Sequence, residues 1–314
     1  MSKVALLFPG QGSQQIGMGK QLADKYPEAM DVFKQADEAL NFSLANLIFE
    51  GTEEELKRTE NTQPALLTAS TAIWQVLKAQ GVEAHFAAGH SLGEYSALVA
   101  AEALRFKEAC VAVRKRGQLM EEAVPQGQGT MAAVLGIQRE ELDRLTKDIS
   151  HSTGVVEPAN YNCPGQIVIS GSAEGVKAAS EQLKEAGAKR VLPLNVSGPF
   201  HSSLMKPAAE KMQETLHNLS VREPNMNVVA NVTAKPVYDK ADIQTLLYEQ
   251  IYSPVLWEDT IKTLVEKGVD TFIEVGPGKV LSGLVKKVHR RAKVLPVFDE
   301  ETLDQALVKL KEDN

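Results

Sequence analysis

The stretch Gly89-His90-Ser91-Leu92-Gly93 has the form Gly-x-Ser-x-Gly, which is typical of a nucleophile elbow. In such an elbow the turn from a strand to a helix is so tight that only glycine fits on either side of the serine. The small apolar run 86–88 before it predicts the end of a buried strand, and apolar residues at spacings of three and four after it predict a helix. This context places the Ser91 hydroxyl at a helix N-terminus, where free N–H groups favour a negative charge such as an acyl-transfer oxyanion. The alternatives are a chance match and a serine that only caps the helix.

Composition and charge narrow the class of protein. The 314 residues, 43% hydrophobic and 24% charged, are enough for one large α/β domain with a smaller one. The net charge of −7 disfavours a nucleic-acid partner. Cys110 and Cys163 form no close pair and lie in no Cys/His cluster, which predicts a reduced cytoplasmic protein without a metal. The sequence shows no cationic leader and no apolar run of membrane length, so we expect no signal peptide and no membrane partner.

Apolar runs typical of strands alternate with helical patterns along the chain. Residues 4–8, 228–232 and 271–275 have the composition of buried strands. Residues 64–80 predict a helix, with Pro64 in its first turn. Such alternation is typical of the α/β class, with a mostly parallel sheet covered by helices.

A change of pattern in the middle of the chain indicates an insertion. The stretches 125–129 and 197–199, which contain glycine and proline, predict paired hinges. Between them we predict strands at 131–135, 155–160, 167–169 and 190–194, and helices at 138–149 and 173–187. The order βαββαβ is that of a ferredoxin-like unit. We therefore predict a small ferredoxin-like subdomain, residues 128–197, inserted into a large domain formed by residues 1–127 and 198–314. The cleft between the two is the expected ligand site.

A serine nucleophile needs a base, and His201 is the best candidate among the six histidines. It lies at the return from the predicted insertion, where a cleft would be lined. A loop histidine alone is more often structural, but the elbow at Ser91 favours a catalytic role. His90 is a poor partner because neighbouring side chains diverge on a tight turn, and the other four histidines lie in polar surroundings. We find no acidic residue placed to orient the base, so a backbone carbonyl or an amide is the alternative.

The glycine-rich stretch 10–20 does not bind a nucleotide by either common motif. Gln15 stands where Gly-x-Gly-x-x-Gly needs glycine, and Met18 stands where the Walker lysine would be. We instead predict a loop at the end of a strand that brings a backbone N–H to the cleft. This N–H would be the second oxyanion donor, beside that of Leu92. A turn that only needs glycine dihedral angles is a compatible alternative.

Arg116 lies at the border of the apolar face of a predicted helix, residues 106–124. A guanidinium group in that position normally has a partner. One interpretation is a structural salt bridge. The other is a guanidinium that binds a substrate carboxylate through two hydrogen bonds.

Several separate motifs occur in one order along the chain, and together they resemble the malonyl-CoA:acyl carrier protein transacylase family of bacterial type II fatty-acid synthesis. The similarity extends from Phe8 to about Leu284. The motifs are Gly10-Gln11-Gly12-Ser13-Gln14, Thr62-Gln63-Pro64-Ala65, Gly89-His90-Ser91-Leu92-Gly93-Glu94, Arg116-Gly117, Phe200-His201 and Glu274-Val275-Gly276-Pro277-Gly278.

The resemblance implies an α/β-hydrolase-like core with a ferredoxin-like insertion, and it implies a set of site residues. The implied roles are nucleophile for Ser91, base for His201, backbone oxyanion donors for Gln11 and Leu92, carboxylate binding for Arg116, further substrate contacts for Gln63 and Phe200, and a main-chain carbonyl that holds the base for Gln250. Phe200 resembles the aromatic residue of malonyl-selective polyketide acyltransferases, which excludes an α-methyl group. The implied absence of a triad acid would explain why no orienting aspartate is found.

The implied reaction is ping-pong transfer of a malonyl group from malonyl-CoA to the phosphopantetheine thiol of acyl carrier protein, without a cofactor. The basic stretch 286–293 is a candidate docking patch for the acidic carrier protein, and a solvated helix face is the alternative. Three other functions stay open: a polyketide acyltransferase acting in trans, a serine thioesterase or esterase, and a carrier-protein scaffold with an inactive site.

Overall fold

The computed structural model describes residues 3–312 of the chain. Its strands are β1 (Lys3–Phe8), β2 (Phe86–Gly89), β3 (Gly129–Leu135), β4 (Val156–Cys163), β5 (Gln166–Ser172), β6 (Arg190–Pro193), β7 (Asn227–Val229), β8 (Pro236–Val237), β9 (Val269–Val275) and β10 (Lys293–Val297). Its α-helices are α1 (Lys20–Lys25), α2 (Pro27–Leu40), α3 (Leu44–Glu50), α4 (Glu53–Lys57), α5 (Thr59–Ala79), α6 (Leu92–Ala100), α7 (Phe106–Glu122), α8 (Arg139–Ser152), α9 (Ala173–Glu185), α10 (Lys206–His217), α11 (Lys240–Gln250), α12 (Trp257–Glu266), α13 (Val280–Val288) and α14 (Glu300–Lys311). None of the helices in this part of the chain is both long and apolar enough to cross a bilayer.

Six strands form a mostly parallel sheet in the order β10-β9-β1-β2-β7-β8, and only the β7–β8 pair is antiparallel. The central strand β1 is buried along Val4–Phe8, as expected of a parallel strand covered on both faces. Its side chains alternate between two hydrophobic clusters: Leu6 and Phe8 pack into one, and Ala5 and Leu7 into the other. Phe8 pairs with Gly89, so the loops that follow β1 and β2 begin at the same edge of the sheet.

The other four strands form a separate antiparallel sheet in the order β4-β5-β3-β6, with its own hydrophobic cluster. In chain order the elements are β3, α8, β4, β5, α9 and β6, which is the ferredoxin-like order. The predicted fold class, a mostly parallel α/β core with a ferredoxin-like insertion, is therefore confirmed. The two chain segments that connect this small sheet to the rest of the protein lie side by side, since a Cβ atom on Gly129 would be only 2.4 Å from Pro199. The domain boundaries at 127/128 and 197/198 stay predictions.

The helix predicted at 64–80 begins one turn earlier, so the expectation that Pro64 occupies its first turn is wrong. The carbonyl of Arg58 accepts the N–H groups of Asn61 and Thr62, so a hydrogen-bonded turn exists before the proline. This early turn packs tightly on α7, where a Cβ atom on Gly117 would be 2.6 Å from the Thr59 carbonyl oxygen. Tertiary packing therefore sets the start of α5 in spite of the proline.

The strand predicted at 228–232 is also too long, because β7 ends at Val229. Asn231 is fully buried and leaves the strand, and its side chain bonds to the Ser91 N–H and to the Gly89 carbonyl. The polar side chain therefore ends the strand by taking partners outside the sheet.

The elbow between β2 and α6 is held by contacts that leave no room for side chains. A Cβ atom on Gly89 would lie 1.8 Å from the carbonyl group of Gly93, and one on Gly93 would lie 2.1 Å from the Phe8 oxygen. Between them Ser91 adopts φ 52° and ψ −109°, in the region that disfavours residues with a Cβ atom. The serine thus keeps a strained conformation because the surrounding backbone fixes the turn.

We expect Gly89→Ala to lower the free energy of unfolding by more than about 3 kcal/mol, because the backbone at Gly93 cannot move away from the new methyl group. The matched control is Gly283→Ala in α13, where nothing lies within 4 Å of the added Cβ atom. The control should gain roughly 0.5–1 kcal/mol from helix propensity. Urea unfolding of both variants measures the difference, and equal midpoints for the two would contradict the packing account.

Candidate active site

The Ser91 hydroxyl and the His201 imidazole meet at the edge of the parallel sheet. The Ser91 Oγ lies 2.8 Å from His201 Nε2. On the other side of the ring, His201 Nδ1 lies 2.8 Å from the carbonyl oxygen of Gln250 and 3.2 Å from that of Ser253. Since a carbonyl only accepts, Nδ1 carries the hydrogen, and the Nε2 lone pair faces the hydroxyl. The pair is arranged for proton transfer from Ser91 to His201.

The environment of His201 keeps its ring neutral. The side chain is 4% exposed, and this burial, together with the positive charge of Arg116, lowers the pKa of His201 from 6.5 to about 3. A neutral imidazole can accept the Ser91 proton at neutral pH. The two backbone carbonyls take the position that an acid occupies in a triad.

Asn231, which is not among the predicted site residues, supports the backbone of the elbow. Its Oδ1 accepts the N–H of Ser91 at 2.7 Å, and its Nδ2 donates to the Gly89 carbonyl at 2.7 Å. The Ser91 carbonyl accepts a hydrogen bond of 3.0 Å from Gln250 Nε2. The signal for Asn231 in the sequence is a polar residue within the apolar run 228–232, at a place where asparagine disfavours a strand.

Of the two predicted oxyanion donors, Gln11 lies in the loop after β1 and Leu92 is the first residue of α6. Among residues 3–312 no acceptor is found for the backbone N–H of Gln11 or of Leu92. The loop after β1 packs directly on the elbow, because a Cβ atom on Gly10 would be 2.4 Å from the His90 carbonyl oxygen. Both N–H groups are thus free to bind an anion at this edge of the sheet.

Arg116 is 1% exposed and is held by neutral groups. Its NH1 donates to Gln63 Oε1 at 2.8 Å, and its NH2 donates to Gln250 Oε1 at 2.8 Å and to Ser91 Oγ at 3.1 Å. The salt bridge considered for Arg116 is not found within the described range, and its buried Nε has no hydrogen-bond partner there. A buried cation without an ion-pair partner carries a desolvation cost that a bound anion would reduce.

The remaining candidate residues lie outside this hydrogen-bonded group. Phe200 is 6% exposed in the large hydrophobic cluster, next to His201 in the chain. His90 bonds instead to Asn162 of β4, with 2.8 Å between Nε2 and Oδ1. In the stretch 286–293, Arg290 and Arg291 are exposed. The structure therefore brings together Ser91, His201, Arg116, Gln63 and Gln250 by direct hydrogen bonds.

Comparison with known proteins shows the family of the chain. The family model described as "Acyl transferase domain" matches residues 5–311. The chain belongs to the acyl transferase family. It is 57% identical, over all 314 residues and 99% of the relative, to malonyl CoA-acyl carrier protein transacylase of Bacillus subtilis. It is 47% identical to the enzyme of that name from Staphylococcus aureus, over 95% of this chain and 96% of the relative.

Solved structures show the same fold. An acyl carrier protein S-malonyltransferase from Vibrio cholerae superimposes with a TM-score of 0.95 at 44% identity, over 97% of this chain and 100% of that one. A malonyl-transacylase solved in complex with a type II PKS acyl-carrier protein also gives 0.95 at 44% identity, with all of both chains covered. The chain is therefore an acyltransferase.

We expect the His201 ring to remain neutral at pH 5, because its pKa of about 3 lies well below that of an ordinary histidine. The ring ¹⁵N shifts of labelled protein measure the protonation state, with circular dichroism as the control that the chain is folded. Since the unfolded state binds more protons in acid, His201 stabilises the fold above pH 6.5, and this contribution is lost as the pH falls toward 3. A charged His201 ring at pH 5 in the folded protein would contradict this prediction.

Proposed function

We propose that this acyltransferase moves a malonyl group from malonyl-CoA to the phosphopantetheine thiol of acyl carrier protein, through a malonyl ester on Ser91. The observation that carries the proposal is the pair of contacts at one oxygen: Ser91 Oγ lies 2.8 Å from His201 Nε2 and 3.1 Å from Arg116 NH2. The oxygen of the proposed nucleophile therefore contacts both the proposed base and the proposed anion-binding group. The names of the relatives, 57% and 47% identical, support the same substrates.

In the first half-reaction, His201 Nε2 takes the Ser91 proton while Oγ forms a bond to the thioester carbon. The negative charge on the carbonyl oxygen is stabilised by the N–H groups of Gln11 and Leu92, which have no acceptor elsewhere in the described chain. The C–S bond then breaks, and the CoA sulfur leaves as a thiol with the proton from His201. The Nδ1 bonds to the carbonyls of Gln250 and Ser253 hold the ring during both transfers.

The second half-reaction repeats these steps with a new nucleophile. His201 takes the proton of the phosphopantetheine thiol, and the sulfur attacks the malonyl ester carbon. The oxyanion again forms at the same two N–H groups. The C–Oγ bond breaks, Ser91 recovers its proton from His201, and malonyl thioester is released. The overall exchange of one thioester for another needs no cofactor.

Arg116 is proposed to select a dicarboxylic acyl group by binding its free carboxylate. Gln63 accepts a hydrogen bond from Arg116 NH1 and so holds the guanidinium in place, which is the proposed contribution of Gln63 to substrate binding. Phe200 is buried and directly precedes His201 in the chain, and we propose that it excludes an α-methyl branch on the acyl group. An increase in methylmalonyl transfer in Phe200→Ser would support that role, and an unchanged rate would contradict it.

We place the reaction in fatty acid biosynthesis and in the cytoplasm. The relative with 57% identity supports this placement, and both cysteines are free and buried, as suits a reducing compartment. A polyketide pathway uses the same chemistry, and the 44% identical neighbour solved with a type II PKS carrier protein keeps it as the second candidate. Genes for other fatty-acid enzymes beside this gene would support the first placement, and polyketide genes would support the second.

Incubation with malonyl-CoA should add one malonyl group to Ser91, and peptide mass spectrometry locates it. The adduct should survive in buffer and be lost to the thiol when holo acyl carrier protein is added. Ser91→Ala should acquire no adduct, while Ser96→Ala, in the helix that Ser91 precedes, is the matched control and should acquire it. Rapid release of malonate into water would instead indicate a thioesterase, and an unmodified Ser91 would support an inactive scaffold.

Arg116→Ala should lose the preference for malonyl-CoA over acetyl-CoA. A charge-assisted contact is worth about 1.5–3 kcal/mol, so the ratio of kcat/KM values should fall roughly 10- to 150-fold. Lys115→Ala removes the same charge from an exposed neighbour on α7 and should leave the ratio unchanged. Unaltered selectivity in Arg116→Ala would refute the proposed role.

The patch 286–293 is proposed to dock the carrier protein, because Arg290 and Arg291 are exposed there. Charge reversal in Arg290→Glu/Arg291→Glu should raise the KM for acyl carrier protein and leave the malonylation rate of Ser91 intact. Lys177→Glu, an exposed change on α9, serves as the control. A carrier-protein KM equal to that of the wild type would exclude the patch.

A further inference from the structure

A buried carboxylate lies behind the site, and the proposed reaction makes no use of it. Glu94, on the first turn of α6, is 3% exposed and has no cation within ion-pair distance in residues 3–312. Its Oε2 accepts two hydrogen bonds, from Gln250 Nε2 at 2.7 Å and from the Asn231 N–H at 3.1 Å. Burial of an acidic group is costly, so a carboxyl group at this place calls for a function.

The first consequence of Glu94 concerns the side-chain amide of Gln250. An amide can turn by 180° without changing its shape, so its neighbours decide which end is oxygen. Its Nε2 faces two acceptors, Glu94 Oε2 and the Ser91 carbonyl at 3.0 Å. Its Oε1 is therefore directed to the other side, where Arg116 NH2 donates to it at 2.8 Å. In the reversed orientation the amide N–H groups would face the N–H groups of Arg116.

The second consequence concerns Arg116 itself. Its two terminal nitrogens are held by the amide oxygens of Gln63 and Gln250, each at 2.8 Å. Loss of the Gln250 acceptor would leave NH2 with the Ser91 hydroxyl as its remaining partner. The guanidinium would then sample other orientations, and its position toward a substrate carboxylate would no longer be fixed.

We propose that Glu94 is a positioning residue for acyl-group selection: it fixes the Gln250 amide so that the amide oxygen holds Arg116 in the orientation that binds the substrate carboxylate. The inference rests on the proposed function, since it assigns selectivity to Arg116. Burial raises the pKa of Glu94 to about 7, and the carboxyl group keeps an acceptor oxygen in either protonation state. The series of hydrogen bonds from Glu94 through Gln250 to Arg116 therefore requires an acceptor oxygen at the Oε2 position and does not require a charge on Glu94.

The test compares Glu94→Ala with Glu94→Gln by the ratio of kcat/KM for malonyl-CoA to that for acetyl-CoA. Glu94→Ala removes the acceptor, so the ratio should fall about tenfold or more. Glu94→Gln should keep the ratio within about threefold of the wild type, because one carbonyl oxygen can accept both bonds that Oε2 accepts. The new NH2 group takes the place of Oε1, which accepts no hydrogen bond from the described residues.

The matched control is Glu274→Ala at the end of β9. This carboxylate is equally buried, accepts the N–H groups of Leu281 and Ser282 at the start of α13, and has no hydrogen bond to Glu94, Gln250 or Arg116. The ratio should not change in the control. Because a ratio of rates does not depend on the amount of folded enzyme, partial misfolding does not affect it. Glu94→Leu, which keeps the side-chain volume without an acceptor, replaces Glu94→Ala should the latter not fold.

An unchanged ratio in Glu94→Ala, or a loss in Glu94→Gln equal to that in Glu94→Ala, would overturn the proposal. These results differ from a failure of the proposed function, which would appear in the wild type. A wild-type enzyme that does not prefer malonyl-CoA refutes the function. A wild-type enzyme that prefers malonyl-CoA, together with an equally selective Glu94→Ala, refutes only the positioning role.

Discussion

The site depends on one backbone conformation, the left-handed φ of 52° at Ser91. Such a conformation costs about 1–3 kcal/mol for a residue with a side chain, so it persists only where its surroundings fix it. Gly89 and Gly93 allow their backbones to touch at the turn, and the N–H and carbonyl of Ser91 bond to Asn231 and Gln250. The result is a hydroxyl at the start of α6, at the edge of the parallel sheet, where His201 can reach it.

His201 has a positive φ as well, 59°, so both residues of the Ser–His pair occupy strained backbone positions. The ring is oriented by the end of α11, since the carbonyl of Gln250 belongs to the last turn of that helix. Carbonyls in the last turn have no partner within their helix and carry the negative end of its dipole. A helix end thus supplies the acceptor that an aspartate supplies in a triad, without adding a charged group beside the base.

The elbow and the fold were predictable from the sequence because their signals are local. The Gly-x-Ser-x-Gly pattern and the order of strands and helices between the hinges need only neighbouring residues. The bond between Asn231 and Ser91 spans 140 positions, and it follows from the pairing of β2 with β7, which no local pattern contains. The start of α5 was missed for a similar reason, because packing at Gly117 decides it and Pro64 suggests otherwise.

The charges around Arg116 explain why its partners are amides. A carboxylate bonded directly to the guanidinium would reduce the cost of its burial, but it would also compete with the carboxylate of the proposed substrate for the same N–H groups. The amide oxygens of Gln63 and Gln250 accept hydrogen bonds and leave the positive charge available. Glu94 lies beyond Gln250, so it interacts with Arg116 electrostatically without occupying a donor of the guanidinium. Under the proposed function the same constraint applies at His201, where an aspartate would place an anion near the substrate carboxylate. The proposed selection of an anionic acyl group therefore favours backbone carbonyls and amides as the acceptors that contact Arg116 and His201 directly.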